Sequence, residues 1–157
     1  MSILRCSLCV VLLLGLGAMA SAEPAGPPYA GVTSQGGEPP SPKTPPPGMQ
    51  YVTWPGFNVS EGGSEVFLQL TGPVTYKEQS KGHRLLVTMD NARVYLKNNL
   101  RPVITSSFRG TPVSRFRLRP LKKGQLRLEI SLRRKSAHTL TVRTVGQYHY
   151  LIVTFPR

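Results

Sequence analysis

Residues 112–134, PVSRFRLRPLKKGQLRLEISLRR, leave the backbone little choice. Phe116 and Leu118 alternate with Arg115, Arg117 and Arg119. Leu126, Leu128, Ile130 and Leu132 alternate with Gln125, Arg127, Glu129, Ser131 and Arg133. Strict period two belongs to strands with one buried and one wet face, because successive side chains of a pleated backbone point to opposite sides. Lys122-Lys123-Gly124 lies between the two runs, and a three-residue hairpin loop needs a glycine where the backbone turns left-handed. The resulting register sets Arg117 opposite Glu129, Arg119 opposite Arg127, Phe116 opposite Ile130 and Leu118 opposite Leu128. One face is then apolar, and the other carries guanidinium groups about 7 Å apart along each strand.

The same alternation recurs through the C-terminal two thirds. Residues 51–54 read as a short edge strand stopped by Pro55-Gly56. Residues 64–70 (SEVFLQL) place Val66, Leu68 and Leu70 on one face, and a short strand over 74–77 follows Gly72-Pro73. Residues 84–89 turn Leu85, Val87 and Met89 inward before an Asp90-Asn91 turn, and 92–97 continue as a strand. Residues 100–110 read as a crossing loop. A last hairpin spans 140–145 and 148–155 around Gly146-Gln147. No window holds a sustained 3.6-residue apolar stripe. About eight short strands at regular spacing predict an all-β fold, a small sandwich of two antiparallel sheets.

The N-terminal third has another character. Residues 1–22 read as a secretory signal peptide: Arg5 supplies the positive start, an apolar run includes 10–16, and Ala20-Ser21-Ala22 fits a cleavage site. The run is too short and wrongly flanked for a transmembrane segment. Both cysteines, Cys6 and Cys9, fall inside it, so the exported chain is expected to carry no thiol or disulfide chemistry. Residues 23–50 hold nine prolines and five glycines in twenty-eight positions, which predicts a disordered Pro/Gly-rich linker. The β-domain is expected over 51–157.

The whole chain carries a formal net charge of +13. From Ser64 onward, eighteen Lys and Arg face only Glu65, Glu78, Asp90 and Glu129, and eleven of those cations fall between Arg101 and Lys135. Such a balance implies an anionic partner. Export argues against nucleic acid and for wall polymers, lipid head groups or acidic proteins.

Catalytic chemistry finds no footing. His83, His138 and His149 lack metal-ligand spacing, no Cys/His cluster exists, and nothing calls for a metal or a cofactor. Of the carboxylates near the folded centre, Asp90 stands alone and Glu129 is the cross-strand partner of Arg117, so no glycosidase pair forms. No nucleophile elbow or phosphate-cradling loop appears. Enzyme function is not expected. Binding rests on Arg115, Arg117, Arg119, Arg127 and Arg133, whose planar forks suit carboxylates, with Asn98, Asn99 and Arg101 as further donors. Each has a plainer reading as well: a solvated sheet face for the arginines, turn chemistry for the asparagines. Trp54 is read as a plug for the end of the core, with sugar stacking as its alternative.

The run Val66-Phe67-Leu68-Gln69-Leu70-Thr71-Gly72-Pro73-Val74, then Arg84-Leu85-Leu86-Val87, Pro112-Val113 with the basic strand, and Tyr150-Leu151-Ile152-Val153 resembles the AMIN domain. That module occurs in exported bacterial cell-wall amidases and type IV pilus secretins. The resemblance spans about residues 54–156. It implies a sandwich of two small antiparallel sheets, a periplasmic location and peptidoglycan binding. AMIN domains usually sit beside a catalytic or pore-forming domain, whereas here the resemblance is to a stand-alone module. The expectation is therefore a non-catalytic envelope-binding protein, secreted across the inner membrane. It docks on peptidoglycan or another anionic envelope polymer through its arginine face, or else serves as an adaptor or accessory subunit of a secretin or pilus complex.

Overall fold

Alternating side chains turn more than half of the described residues into strands. The computed structural model describes residues 32–37, 39 and 44–157; the expected signal peptide, 1–22, lies outside the described residues, as does much of 23–50. The strands are β1 (Gln50–Ser60), β2 (Gly63–Leu70), β3 (Tyr76–Lys81), β4 (Arg84–Met89), β5 (Ala92–Val94), β6 (Val103–Ile104), β7 (Val113–Pro120), β8 (Leu126–Leu132), β9 (Thr139–Val145) and β10 (Tyr148–Pro156). They form two five-stranded sheets, ordered β5-β1-β2-β10-β9 and β3-β4-β8-β7-β6. All pairs are antiparallel except the three-residue match of β1 with β5. The fold is the all-β sandwich that the periodicity predicts.

One core fills the space between the sheets. Val66, Leu68 and Leu70 from β2 and Leu151, Val153 and Phe155 from β10 meet Leu85, Val87 and Met89 from β4. Phe116, Leu118, Leu128 and Ile130 complete it from the basic hairpin, all almost wholly buried. Apolar burial of this kind stabilises by roughly 1.5–3 kcal/mol per large side chain, enough to hold a domain of this size without disulfides.

The basic hairpin pairs in the predicted register: Arg117 with Glu129, Arg119 with Arg127, Phe116 with Ile130 and Leu118 with Leu128. Its loop uses two left-handed residues, Lys123 at φ 58° and Gly124 at φ 72°. The loop closes by the Leu121 N–H donating to the Gln125 carbonyl at 2.8 Å.

Four stretches differ from the periodicity reading, the first being the strand expected over 74–77, which is β3 at Tyr76–Lys81 and has no apolar alternation to mark it. β1 does not stop at Pro55-Gly56 and is not an edge, because it runs to Ser60 between β2 and β5. Proline is tolerated there because β5 pairs only with Gln50, Tyr51 and Val52, so the missing N–H removes no ladder bond on that side. β5 ends at Val94, and Lys97–Leu100 wind into a 3-10 turn. The predicted crossing loop contains β6, which pairs Val103 with Phe116 and Ile104 with Arg115.

The stretch expected to be a linker supplies part of the folded unit. Residues 32–37 fold into a tight turn closed by Thr33 N–H to Gly36 O at 2.8 Å, and Val32 is 7% exposed. The turn lies on the side of the first sheet that faces away from the core, where Val32 packs with Phe67, Tyr148, Tyr150 and Ile152 in a second apolar cluster. β2 is consequently buried on both faces.

Candidate anion-binding face

The second sheet turns its core-facing residues inward, so the alternate residues of four neighbouring strands share one outer surface. Strand pairing arranges them in three transverse rows. One row reads Lys77, Thr88, Arg127, Arg119; the next Gln79, Leu86, Glu129, Arg117; the third Lys81, Arg84, Ser131, Arg115. Rows lie about 7 Å apart and strands about 4.8 Å apart, which makes a grid roughly 14 Å on a side. Seven cations, Lys77, Lys81, Arg84, Arg115, Arg117, Arg119 and Arg127, surround Glu129, the one carboxylate in those rows.

Glu129 sits where it touches two of them. Arg117 grips one carboxylate oxygen, with Nη2 at 2.8 Å and Nε at 2.9 Å from Oε2, while Arg119 Nη1 lies 3.8 Å from Oε1. The Glu129 side chain is 17% exposed, against 49% for Arg117 and 61% for Arg119. The carboxylate is thus sheltered, and the guanidinium groups reach past it into solvent. Arg127 Nε donates to Thr88 Oγ1 at 3.1 Å, which holds its fork across β4. A recess of about 30 Å³ opens between Arg84, Arg115, Arg117, Glu129 and Ser131. The face is therefore a shallow charged plate, suited to laying down an anionic polymer rather than enclosing a small molecule.

The structure brings together four of the residues singled out in the sequence, Arg115, Arg117, Arg119 and Arg127. It adds Arg84, whose outward parity on 84–89 was legible, and Lys77 and Lys81, which lie on a strand, β3, that has no apolar alternation to reveal it. Arg133 lies just past the end of β8, and its Nη2 donates to the Thr105 carbonyl at 3.2 Å, tying it to the segment after β6. Asn98, Asn99 and Arg101 belong to the 3-10 turn and its exit. Asn99 Nδ2 donates to the Thr53 carbonyl at 2.9 Å, a strut to β1 in the first sheet, and the Asn98 carbonyl accepts the Arg101 N–H at 3.0 Å. Among the described residues no hydrogen bond joins these three to the arginine rows.

Other groups take structural places. His138 Nε2 lies 2.6 Å from Glu78 Oε1, and His149 Nδ1 lies 3.1 Å from Thr144 Oγ1. Among the described residues no three His, Cys, Asp or Glu side chains converge as a metal site, and no helix is long and apolar enough to cross a membrane. A larger, mainly apolar recess of about 430 Å³ opens between β5 and the β7–β8 loop, rimmed by Arg93 and Lys97. Its lining includes none of the cations in the three rows. Trp54 is half-buried against the second apolar cluster, on the far sheet.

A family model described as AMIN domain matches residues 56–155. No curated protein matches the chain.

Proposed function

Because the chain belongs to the AMIN-domain family, a family of non-catalytic peptidoglycan-binding, envelope-targeting modules, we propose that it is an exported envelope protein that docks on peptidoglycan through the cationic face of its second sheet. The observation that carries this reading is the grid of seven cations around Glu129 on one rigid sheet. Peptidoglycan stem peptides carry free carboxylates, and a guanidinium fork takes a carboxylate with two parallel hydrogen bonds. Forks fixed on strands lose little freedom on binding, so a repeating anionic polymer engages several of them at small entropic cost. Residues 1–22 direct export to the periplasm in this reading.

The test is co-sedimentation of residues 23–157 with purified peptidoglycan sacculi at low and high salt. Binding that weakens steeply as salt rises supports the cationic face, since exposed charges are screened over about 10 Å at 0.1 M salt. Absence of binding at both salts overturns it.

A second reading, an adaptor or accessory subunit of a secretin or pilus complex, is favoured by the outer edge of β9. That strand ends the first sheet, no described strand pairs with its far side, and Val142 on it is 47% exposed. An incoming strand there would hydrogen-bond to main chain and resist salt.

A further inference from the structure

The outer face of the first sheet carries a site of its own. One transverse row across β1, β2, β10 and β9 reads Trp54, Gln69, Tyr150, Arg143. The turn 32–37 sits on this face through a short set of contacts. Val32 enters the aromatic cluster, and Ser34 Oγ donates to Glu65 Oε2 at 2.8 Å. Gln69 is fully buried. Its Oε1 accepts from Thr53 Oγ1 at 2.8 Å, and its Nε2 donates to the Tyr150 hydroxyl at 2.7 Å and to the Gly37 carbonyl at 2.6 Å. A main-chain carbonyl laid on this face is thus read by a held amide.

Arg143 is the exception to this tidy accounting. Its Nη1 makes one long bond, 3.4 Å, to Gln35 Oε1 of the turn. Its Nε and Nη2 are buried and, among the described residues, have no hydrogen-bond partner. Those two nitrogens form one edge of the guanidinium fork, the edge that takes a carboxylate with two parallel bonds. Buried orphan donors on a permanent cation are costly, and in a native fold they call for a reason. Gln35, the neutral isostere of glutamate, reaches only Nη1 and leaves that edge unsatisfied.

We propose that this face is a peptide-binding site, covered at rest by the chain's own Val-Thr-Ser-Gln-Gly-Gly turn, whose ligand is an acidic peptide. The ligand sets a carboxylate on the Nε–Nη2 edge of Arg143, an apolar side chain in the Val32 position and a main-chain carbonyl on Gln69. The turn is a neutral mimic that keeps the aromatic surface from water and yields to a partner that pairs the cation. This site lies on the opposite sheet from the peptidoglycan face and stands independently of it.

The probes are two synthetic hexapeptides, acetyl-Val-Thr-Ser-Glu-Gly-Gly-amide and the same peptide with Gln in place of Glu. They are titrated into the full chain and into Val32→Glu, which opens the turn, with emission of the sole tryptophan, Trp54, as the readout. Val32→Glu is expected to red-shift Trp54. The Glu peptide is then expected to bind about tenfold or more tighter than the Gln peptide, as a charge-assisted pair replaces a neutral contact. Arg143→Gln removes that preference while leaving the melting temperature equal or higher, because a half-buried cation with two unsatisfied nitrogens is lost. Gln35→Glu within the chain raises the melting temperature and weakens both peptides by shutting the site. Equal affinity for the two peptides, no binding to Val32→Glu, or an unshifted Trp54 in that variant overturns the proposal. So does a clear fall in melting temperature for Arg143→Gln, which would mark the arginine as structural. Loss of sacculus binding in the arginine-row variants leaves these outcomes untouched, so the two sites fail separately.

Discussion

Arg117 on β7 and Glu129 on β8 face each other across the hairpin, Nη2 to Oε2 at 2.8 Å, at the centre of a surface that is otherwise cationic. The pair does two things at once. It relieves repulsion among neighbouring guanidinium groups and withholds one of them from any ligand. Being partly exposed, it contributes at most about 1 kcal/mol to stability.

Glu129→Gln should therefore release Arg117 and add one unit of positive charge to the face. The expected result is tighter sacculus binding at low salt, a few-fold in apparent affinity, with a stability loss under about 1 kcal/mol by chemical denaturation. Unchanged binding would mean that the central row takes no part.

Replacing Arg115, Arg119 and Arg127 together by Gln removes cations from two rows while leaving every core contact in place. Sacculus binding should fall by at least about tenfold near 50 mM salt, and the residual binding should depend less on salt. Each substitution should shift stability by no more than about 0.5 kcal/mol, because the side chains lie on the wet face. A melting curve run alongside separates lost binding from lost fold.

Leu128 is wholly buried between the sheets, opposite Leu118 and beside Val87. Leu128→Ala should cost about 2–5 kcal/mol in urea or thermal unfolding, the transfer cost of the missing atoms plus that of the cavity left behind. Binding measured below the new midpoint should stay near wild type, since Leu128 touches only the inner side.

Gly56 allows a close approach. A Cβ there would lie 2.1 Å from Phe67 Cζ, because the Phe67 ring lies flat across β1. Gly56→Ala should displace that ring, destabilise by about 1–3 kcal/mol through overpacking and alter Trp54 emission. An unchanged spectrum with intact stability would show that the ring has another place to go.

Much of the sandwich was legible in local pattern. Period-two alternation marked residues 64–70, 84–89, 115–119 and 125–133 as strands, and the short Lys122-Lys123-Gly124 loop set the register that pairs Arg117 with Glu129. Pattern failed where pairing overrode a local signal. Pro55-Gly56 reads as a stop, yet β1 passes through it because β2 hydrogen-bonds along one side and nothing requires an N–H on the other. The family resemblance, by contrast, lay in the strand motifs themselves and agrees with the match over residues 56–155.

By itself, the sequence determined that the chain makes strands, which side of the basic hairpin is wet, and that this side carries a lattice of arginines. These follow from alternation and loop length, properties of neighbouring residues. Only the tertiary structure decided which strands stand side by side. It put β4 next to β8 with β3 beyond it, bringing Lys77, Lys81 and Arg84 into the arginine rows, and it laid residues 32–37 over Phe67 and Tyr150. Strand order and docking depend on how distant apolar faces close against one another, and a stretch holding one valine among glycines and prolines carries no local trace of the surface that receives it.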